Sequence, residues 1–159
     1  MDRKLQDLPL RSGVGIVLLN NNNKIFVAKR IDNPKNFWQM PQGGVNKNEN
    51  FLNAAYRELK EETSIENVKL IKELDGFMTY ELPLNLIGII WRGRYRGQKL
   101  KWFVMRFLGN DNEININTKK PEFLDWKWIE IDKITEVVVK FKFEVYKKVK
   151  KEIKKILIN

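Results

Sequence analysis

Residues 43–65 read GGVNKNENFLNAAYRELKEETSI, and this stretch bears on fold and chemistry together. Gly43-Gly44 opens it as a turn where the backbone can come close to a ligand. Leu52, Ala55, Tyr56 and Leu59 recur at helical spacing, which predicts a helix over residues 50–63 with one face on a core. Glu58, Glu61 and Glu62 stand at i, i+3 and i+4 of that helix, within about 100° of one face. Like charges so placed repel one another, and a compensating cation is the simplest reason to keep them. Hard divalent cations such as Mg²⁺ take oxygen ligands, usually carboxylates together with substrate phosphates. The segment therefore reads as a metal site built to hold a phosphate-bearing substrate. A solvated acidic face is the ordinary reading of such a charge run. The core-facing side of the helix, the glycine turn and Arg57 beside the acids weigh against it.

The chain of 159 residues suits one domain over residues 1–159, with a sizeable core. Hydrophobic residues make up 43% and charged residues 31%, the balance of a water-soluble globular protein. No apolar run reaches the length of a membrane span, and MDRKLQDLPL lacks the apolar stretch of a signal peptide. A cytoplasmic location is expected by default. The chain has no Cys, which excludes disulfides, thiolate nucleophiles and Cys-ligated zinc. It has no His, which excludes a Ser-His-Asp triad and an imidazole base. Acid–base chemistry is left to carboxylates, Lys, Tyr or metal-bound water. The net charge of +10 attracts polyanions. Residues 91–103 carry Arg92, Arg94, Arg96, Lys99 and Lys101 with no acid, interleaved with Trp91, Tyr95 and Trp102. Residues 140–155 carry eight lysines against Glu144 and Glu152, which as a charge run is first of all a solvated helix face.

Strands are predicted over residues 13–20 and 24–29, joined by an Asn20–Asn23 hairpin turn, since Asn tolerates positive φ. Further strands are predicted over 68–74, 77–80, 101–108 and 122–129. A final helix is expected from about Asp132 to Leu157, with Phe141, Val145, Val149, Ile153 and Leu157 on its inner face. Strands around two helices suggest an α/β fold, an α/β/α sandwich on a mixed β-sheet with a long C-terminal helix. Trp38 and Trp102 read as core.

Gly43, Glu49 and the run Arg57-Glu58-Leu59-Lys60-Glu61-Glu62-Thr63-Ser64-Ile65 resemble the Nudix box, here residues 43–65. One defined position differs: Ser64 stands where the family has the glycine that closes the helix in a left-handed conformation. Ser there is expected to cost about 1 kcal/mol of local strain without touching a ligand. The segments RSGVGIV from Arg11, WQMPQGG from Trp38, RYRGQK from Arg94, KWF from Lys101 and PEF from Pro121 resemble one bacterial branch of that family. So do Phe141-Lys142 and Val145-Tyr146. This branch is the RNA pyrophosphohydrolases, also called (di)nucleoside polyphosphate hydrolases, and the resemblance runs from about Arg11 to Val149.

The resemblance implies a Nudix-type sandwich fold that hydrolyses phosphoanhydrides with Mg²⁺, or another divalent cation such as Mn²⁺. It implies Glu58, Glu61, Glu62 and Glu122 as metal ligands. The catalytic carboxylates are then Glu61, Glu62 and Glu122, with Glu62 or Glu122 as general base. Glu49 and Arg57 are expected to be structural, Glu49 capping the helix or pairing with Arg57. The substrates implied are 5′-triphosphorylated RNA, whose conversion to a 5′-monophosphate promotes decay of the transcript, and dinucleoside polyphosphates. Arg11 and Lys99 are expected on phosphates beside Gly43 and Gly44, and a 5′-proximal base between Arg30 and Phe141, flanked by Val139 and Lys142. From periodicity alone Phe141 is equally a core residue. No membrane partner or DNA specificity is expected, and the oligomeric state is left open. Three rivals remain: a dinucleotide hydrolase with no RNA role, a Nudix fold that binds without catalysis, and a general nucleic-acid-binding module.

Overall fold

The computed structural model describes residues 5–32 and 35–158. Among the described residues seven strands form one mixed sheet: β1 (Leu10–Leu19), β2 (Ile25–Arg30), β3 (Gln42–Gly44), β4 (Val68–Glu73), β5 (Met78–Glu81), β6 (Gly97–Phe107) and β7 (Phe123–Ile129). The main order is β4-β6-β1-β2-β7. β1 and β6 run parallel, from Leu10 opposite Gly97 to Leu19 opposite Arg106, and every other pairing is antiparallel. β3 adds to β1, with Gly43 opposite Val14 and Gly44 opposite Gly13, and β5 adds to β6, with Tyr80 opposite Gln98. Within residues 35–158 the α-helices are α1 (Phe51–Thr63), the short α2 (Ile134–Val137) and α3 (Phe143–Ile158).

The central strand explains the layers. β1 is buried on both faces, as a continuous apolar run requires. Val14, Ile16 and Leu18 join Ala54, Ala55 and Leu59 of α1 in one core. Val17 and Leu19 join Val145, Tyr146, Val149 and Ile153 of α3 in the other. This is the expected α/β/α sandwich. No helix among the described residues is long and apolar enough to cross a membrane.

Four expectations change. Tyr56 was expected on the inner face of α1 but is 37% exposed, and Ala54 takes the core position. The glycine turn is a three-residue strand, because Gly43 and Gly44 can lie flat against β1. β6 begins at Gly97 rather than Lys101, since its pairing with β1 and β5 extends back to that residue. The final helix does not run unbroken from Asp132: α2 ends at Val137, and Val138 (ψ 153°) and Val139 (ψ 144°) are extended before a 3₁₀ turn leads into α3. Three consecutive valines are poor helix formers. The Val137 carbonyl also accepts from the Trp38 N–H at 2.8 Å, so it is committed to tertiary structure.

Candidate active site

α1 is fixed at both ends. The Asn50 side chain accepts from the Asn53 N–H at 2.7 Å as an N-cap. Ser64 closes the other end in the left-handed conformation (φ 67°, ψ 6°), its N–H bonding the Lys60 carbonyl at 2.9 Å. Its hydroxyl donates to the Asn115 carbonyl at 2.9 Å. The two caps thereby fix the orientation of the turn that carries Glu58, Glu61 and Glu62.

Arg57 organises the ground around them. Its guanidinium donates to both Glu49 oxygens at 2.8 and 2.9 Å and to the Gly44 carbonyl at 2.8 Å. It also reaches Glu58 Oε1 at 2.9 Å and Glu61 Oε2 at 3.1 Å. Glu49 Oε1 accepts in addition from the Asn46 N–H at 3.0 Å, so this carboxylate ties the loop before α1 to the helix. Arg57 and that amide push the Glu49 carboxyl down to about 2. Gly43 and Gly44 leave room for this arrangement: a Cβ on Gly43 would collide with the Glu58 carboxylate, and one on Gly44 with the Arg11 guanidinium. Their lack of side chains serves close packing of functional groups, with no positive φ involved.

The three helix carboxylates occupy different environments. Glu61 is exposed and Glu58 half-buried, while Glu62 is only 4% exposed and its Oε2 has no hydrogen-bond partner among the described residues. Burial pushes the Glu62 carboxyl well up, and the nearby charges of Glu122 and Glu58 push the same way, against Arg30. Burial also raises Glu58, opposed by Arg57. Glu122 arrives from the start of β7; it is exposed, and its carbonyl accepts from the Ile31 N–H at 2.9 Å at the end of β2. The fold thus brings Glu58, Glu62 and Glu122 into one negative field, with Glu61 beside Glu58.

Among the described residues, no three His, Cys, Asp or Glu side chains are gathered so as to enclose a cation as they stand. Arg57 draws Glu58 and Glu61 toward itself and supplies the positive charge instead. The donor set still suits a hard divalent cation: every available atom is a carboxylate oxygen, and Glu62 Oε2 is buried without a partner.

Beside the acids, Leu10, Arg11, Ser12, Gly44, Val45, Asn46, Glu58 and Tyr95 line a cleft of ≈ 290 Å³. The Arg11 guanidinium lies 5.4 Å from the centre of the Trp91 ring. Lys99 is exposed on β6, opposite Ser12, with Nζ 4.4 Å from the centre of the Phe77 ring. Arg30 forks onto Asp32 at 2.8 and 2.9 Å and lines a small cavity with Phe37, Trp38, Gln39, Val138 and Val139. Phe141 is half-buried and tilted against Tyr80 at 5.7 Å, so its ring serves the core and the site's edge together.

Lys142 departs furthest from a surface basic residue. It is 7% exposed, and its Nζ donates to Gln39 Oε1 at 3.2 Å. Burial pulls its ammonium down to about 7; Arg30 adds to this, while Glu62 and Asp32 oppose it. Sequence reasoning missed the polar partners of the site residues: the exposed Asp32 on Arg30, the buried Gln39 on Lys142, and the triad Gln42, Tyr80, Gln98. The Tyr80 hydroxyl donates to Gln98 Oε1 at 2.7 Å, and Gln42 Nε2 reaches Gln98 Oε1 at 2.9 Å. Gln39, Gln42 and Gln98 lie inside the segments quoted above, but nothing in those segments marks which amides are buried. Trp38 and Trp102 are core, as expected.

The NUDIX domain model matches residues 9–149. The chain is 70% identical over 151 residues to an RNA pyrophosphohydrolase of Pelagibacter ubique, covering 95% of this chain and 96% of that one. It is 45% identical over 146 residues to an RNA pyrophosphohydrolase of Rhodospirillum rubrum, covering 92% and 88%. Among solved structures it resembles the E. coli dihydroneopterin triphosphate pyrophosphohydrolase, with TM-score 0.69 and 20% identity over 88% of this chain and 96% of that one. This last likeness concerns the fold alone. The chain belongs to the NUDIX family.

Proposed function

We propose that the chain is an RNA pyrophosphohydrolase, which cleaves a phosphoanhydride at the 5′-triphosphate end of RNA and leaves a 5′-monophosphate. The observation that carries this reading is that Glu58, on the acidic face of α1, lines the same cleft as Arg11. Relatives at 70% and 45% identity bearing that name support it.

Glu58, Glu61, Glu62 and Glu122 would hold Mg²⁺ or a similar divalent cation. Such a cation, when bound, neutralises phosphate charge and lowers the pKa of water. The chain's own groups do the rest. Arg57 restrains Glu58 and Glu61 through its five hydrogen bonds, so the helix face keeps its direction. Arg11 stands in the cleft with no carboxylate partner among the described residues, ready for an anionic oxygen. Glu62 takes the proton of the attacking water: its carboxyl is buried, with Oε2 unpartnered among the described residues. As the water loses its proton and bonds to phosphorus, the phosphoanhydride bond beyond the first phosphate breaks, pyrophosphate leaves, and the transcript keeps its first phosphate. A cytoplasmic location is part of this proposal, since transcripts are turned over there.

The test compares 5′-triphosphorylated RNA with diadenosine tetraphosphate as substrates in Mg²⁺, with Glu62→Gln as control. Efficient conversion of RNA to its 5′-monophosphate by the wild type, lost in Glu62→Gln, is the expected result. Cleavage of the dinucleotide alone would overturn the RNA reading, and cleavage of neither would make the chain a binder.

A further inference from the structure

The described arginines are unevenly used. Arg30, Arg57 and Arg96 are each bound to carboxylates, and Arg106 to the Asn20 carbonyl and Asn23. Arg11, Arg92 and Arg94 have no carboxylate partner among the described residues, and Arg92 and Arg94 are exposed. All three belong to one neighbourhood. Arg11 lies over Trp91, Trp91 meets Tyr95 edge to face at 6.1 Å, and Arg11 and Tyr95 both line the cleft.

The backbone here is held in an uncommon shape. Trp91 (φ 53°), Arg92 (φ 58°) and Gly93 (φ 72°) are consecutive left-handed residues, and two of them carry large side chains. Such strain persists where the surroundings over-determine it, commonly at ligand sites. Here it turns the chain so that Trp91 anchors Arg11 while Arg92 and Arg94 stay in solvent. Unpaired guanidinium groups alternating with aromatic rings make a track for single-stranded nucleic acid: the cations follow phosphates and the rings stack bases. An RNA whose 5′ phosphates occupy the cleft must leave over one of its walls. We infer that the loop segment Trp91–Tyr95 holds the nucleotides downstream of the reacting end, with Arg92 and Arg94 on phosphodiesters and Tyr95 as a stacking platform. It is a length-selecting surface separate from the acidic cluster, and it rests on the RNA reading of that cluster.

The experiment measures kcat/KM for 5′-triphosphorylated dinucleotide and dodecanucleotide RNA at two salt concentrations, in the wild type and in R92Q/R94Q. Diadenosine tetraphosphate cleavage serves as the control for fold. The wild type is expected to favour the dodecamer. The double variant should lose roughly five- to ten-fold on the dodecamer and its log–log salt slope should flatten by about 1.4, two charges at about 0.7 each. It should be unchanged on both short substrates. Tyr95→Leu should reduce dodecamer cleavage roughly five-fold or more. Equal wild-type efficiency at both lengths, or an equal loss by the double variant on all substrates, would overturn the inference while leaving the RNA reading intact. No wild-type cleavage of either RNA would overturn both.

Discussion

Burying the Glu62 carboxyl with Oε2 unpartnered costs stability that only a proton or a cation returns. Glu62→Gln is therefore expected to raise thermal stability in chelator by about 0.5–2 kcal/mol. The same substitution should lower kcat by about 10² or more. Differential scanning calorimetry with and without EDTA checks the first, and a loss of stability would refute it. Lys142 makes an opposite case in charge but not in logic. Its ammonium is pulled down to about 7 by burial and Arg30, so the unfolded chain binds the extra proton between that value and 10.5. Its destabilising effect is complete below pH 7 and fades as pH rises. Wild-type stability relative to Lys142→Met should climb between pH 7 and 10, by at most ~1.4 kcal/mol per pH unit. Urea denaturation at pH 7 and 9.5 measures it, and parallel behaviour of the two proteins would remove Lys142 as a buried cation. At Gly43, Ala is expected to displace the Glu58 carboxylate while sparing the fold. Activity should fall with the circular dichroism spectrum unchanged, and full activity would show that Glu58 can move freely.

At the scale of elements, α1 was legible because its caps and periodicity are local. Asn50 caps it, and Asn50→Ala should cost about 1 kcal/mol of stability in a denaturant titration. The far end shows two effects in balance. Ser64 adopts the left-handed conformation that glycine would take, and its hydroxyl bonds Asn115 in return. Ser64→Gly gains about 1 kcal/mol from the backbone and loses about 0.5–1.5 kcal/mol of hydrogen bond, a small net change. Ser64→Val loses both and should unfold at clearly lower denaturant; equal midpoints for the two variants would contradict the strained cap. The break before α3 was not legible. Apolar spacing continues through Val138 and Val139, and the tertiary bond from Trp38 to the Val137 carbonyl, where α2 ends, has no local signal. β3 escaped for the same reason: strand pairing of two glycines has no side-chain pattern to read.

For the whole molecule, a net charge of +10 is a long-range property that raises encounter rates with polyanions. Raising ionic strength should lower kcat/KM for triphosphorylated RNA while leaving kcat nearly constant; a matching fall in kcat would mean that salt acts on the chemistry. The lysines of α3 contribute to this field, although Lys150 and Lys154 also hold Asp132. The sequence by itself determined the α/β layering, the acidic helix, the family and the exclusion of thiol and imidazole chemistry. These follow from local periodicity, a contiguous motif and composition, which need no long-range contact. Tertiary structure alone decided which of the aligned carboxylates is buried, since Glu61 and Glu62 are neighbours in sequence but face solvent and core respectively. It also decided that Lys142 is an interior ammonium against Gln39, and that Arg11 lies over Trp91 with no carboxylate partner among the described residues while Arg30 is tied to Asp32. Burial and charge pairing depend on residues up to about a hundred positions apart meeting at one end of the sheet, as Gln39 and Lys142 do. No local pattern in the chain carries that information.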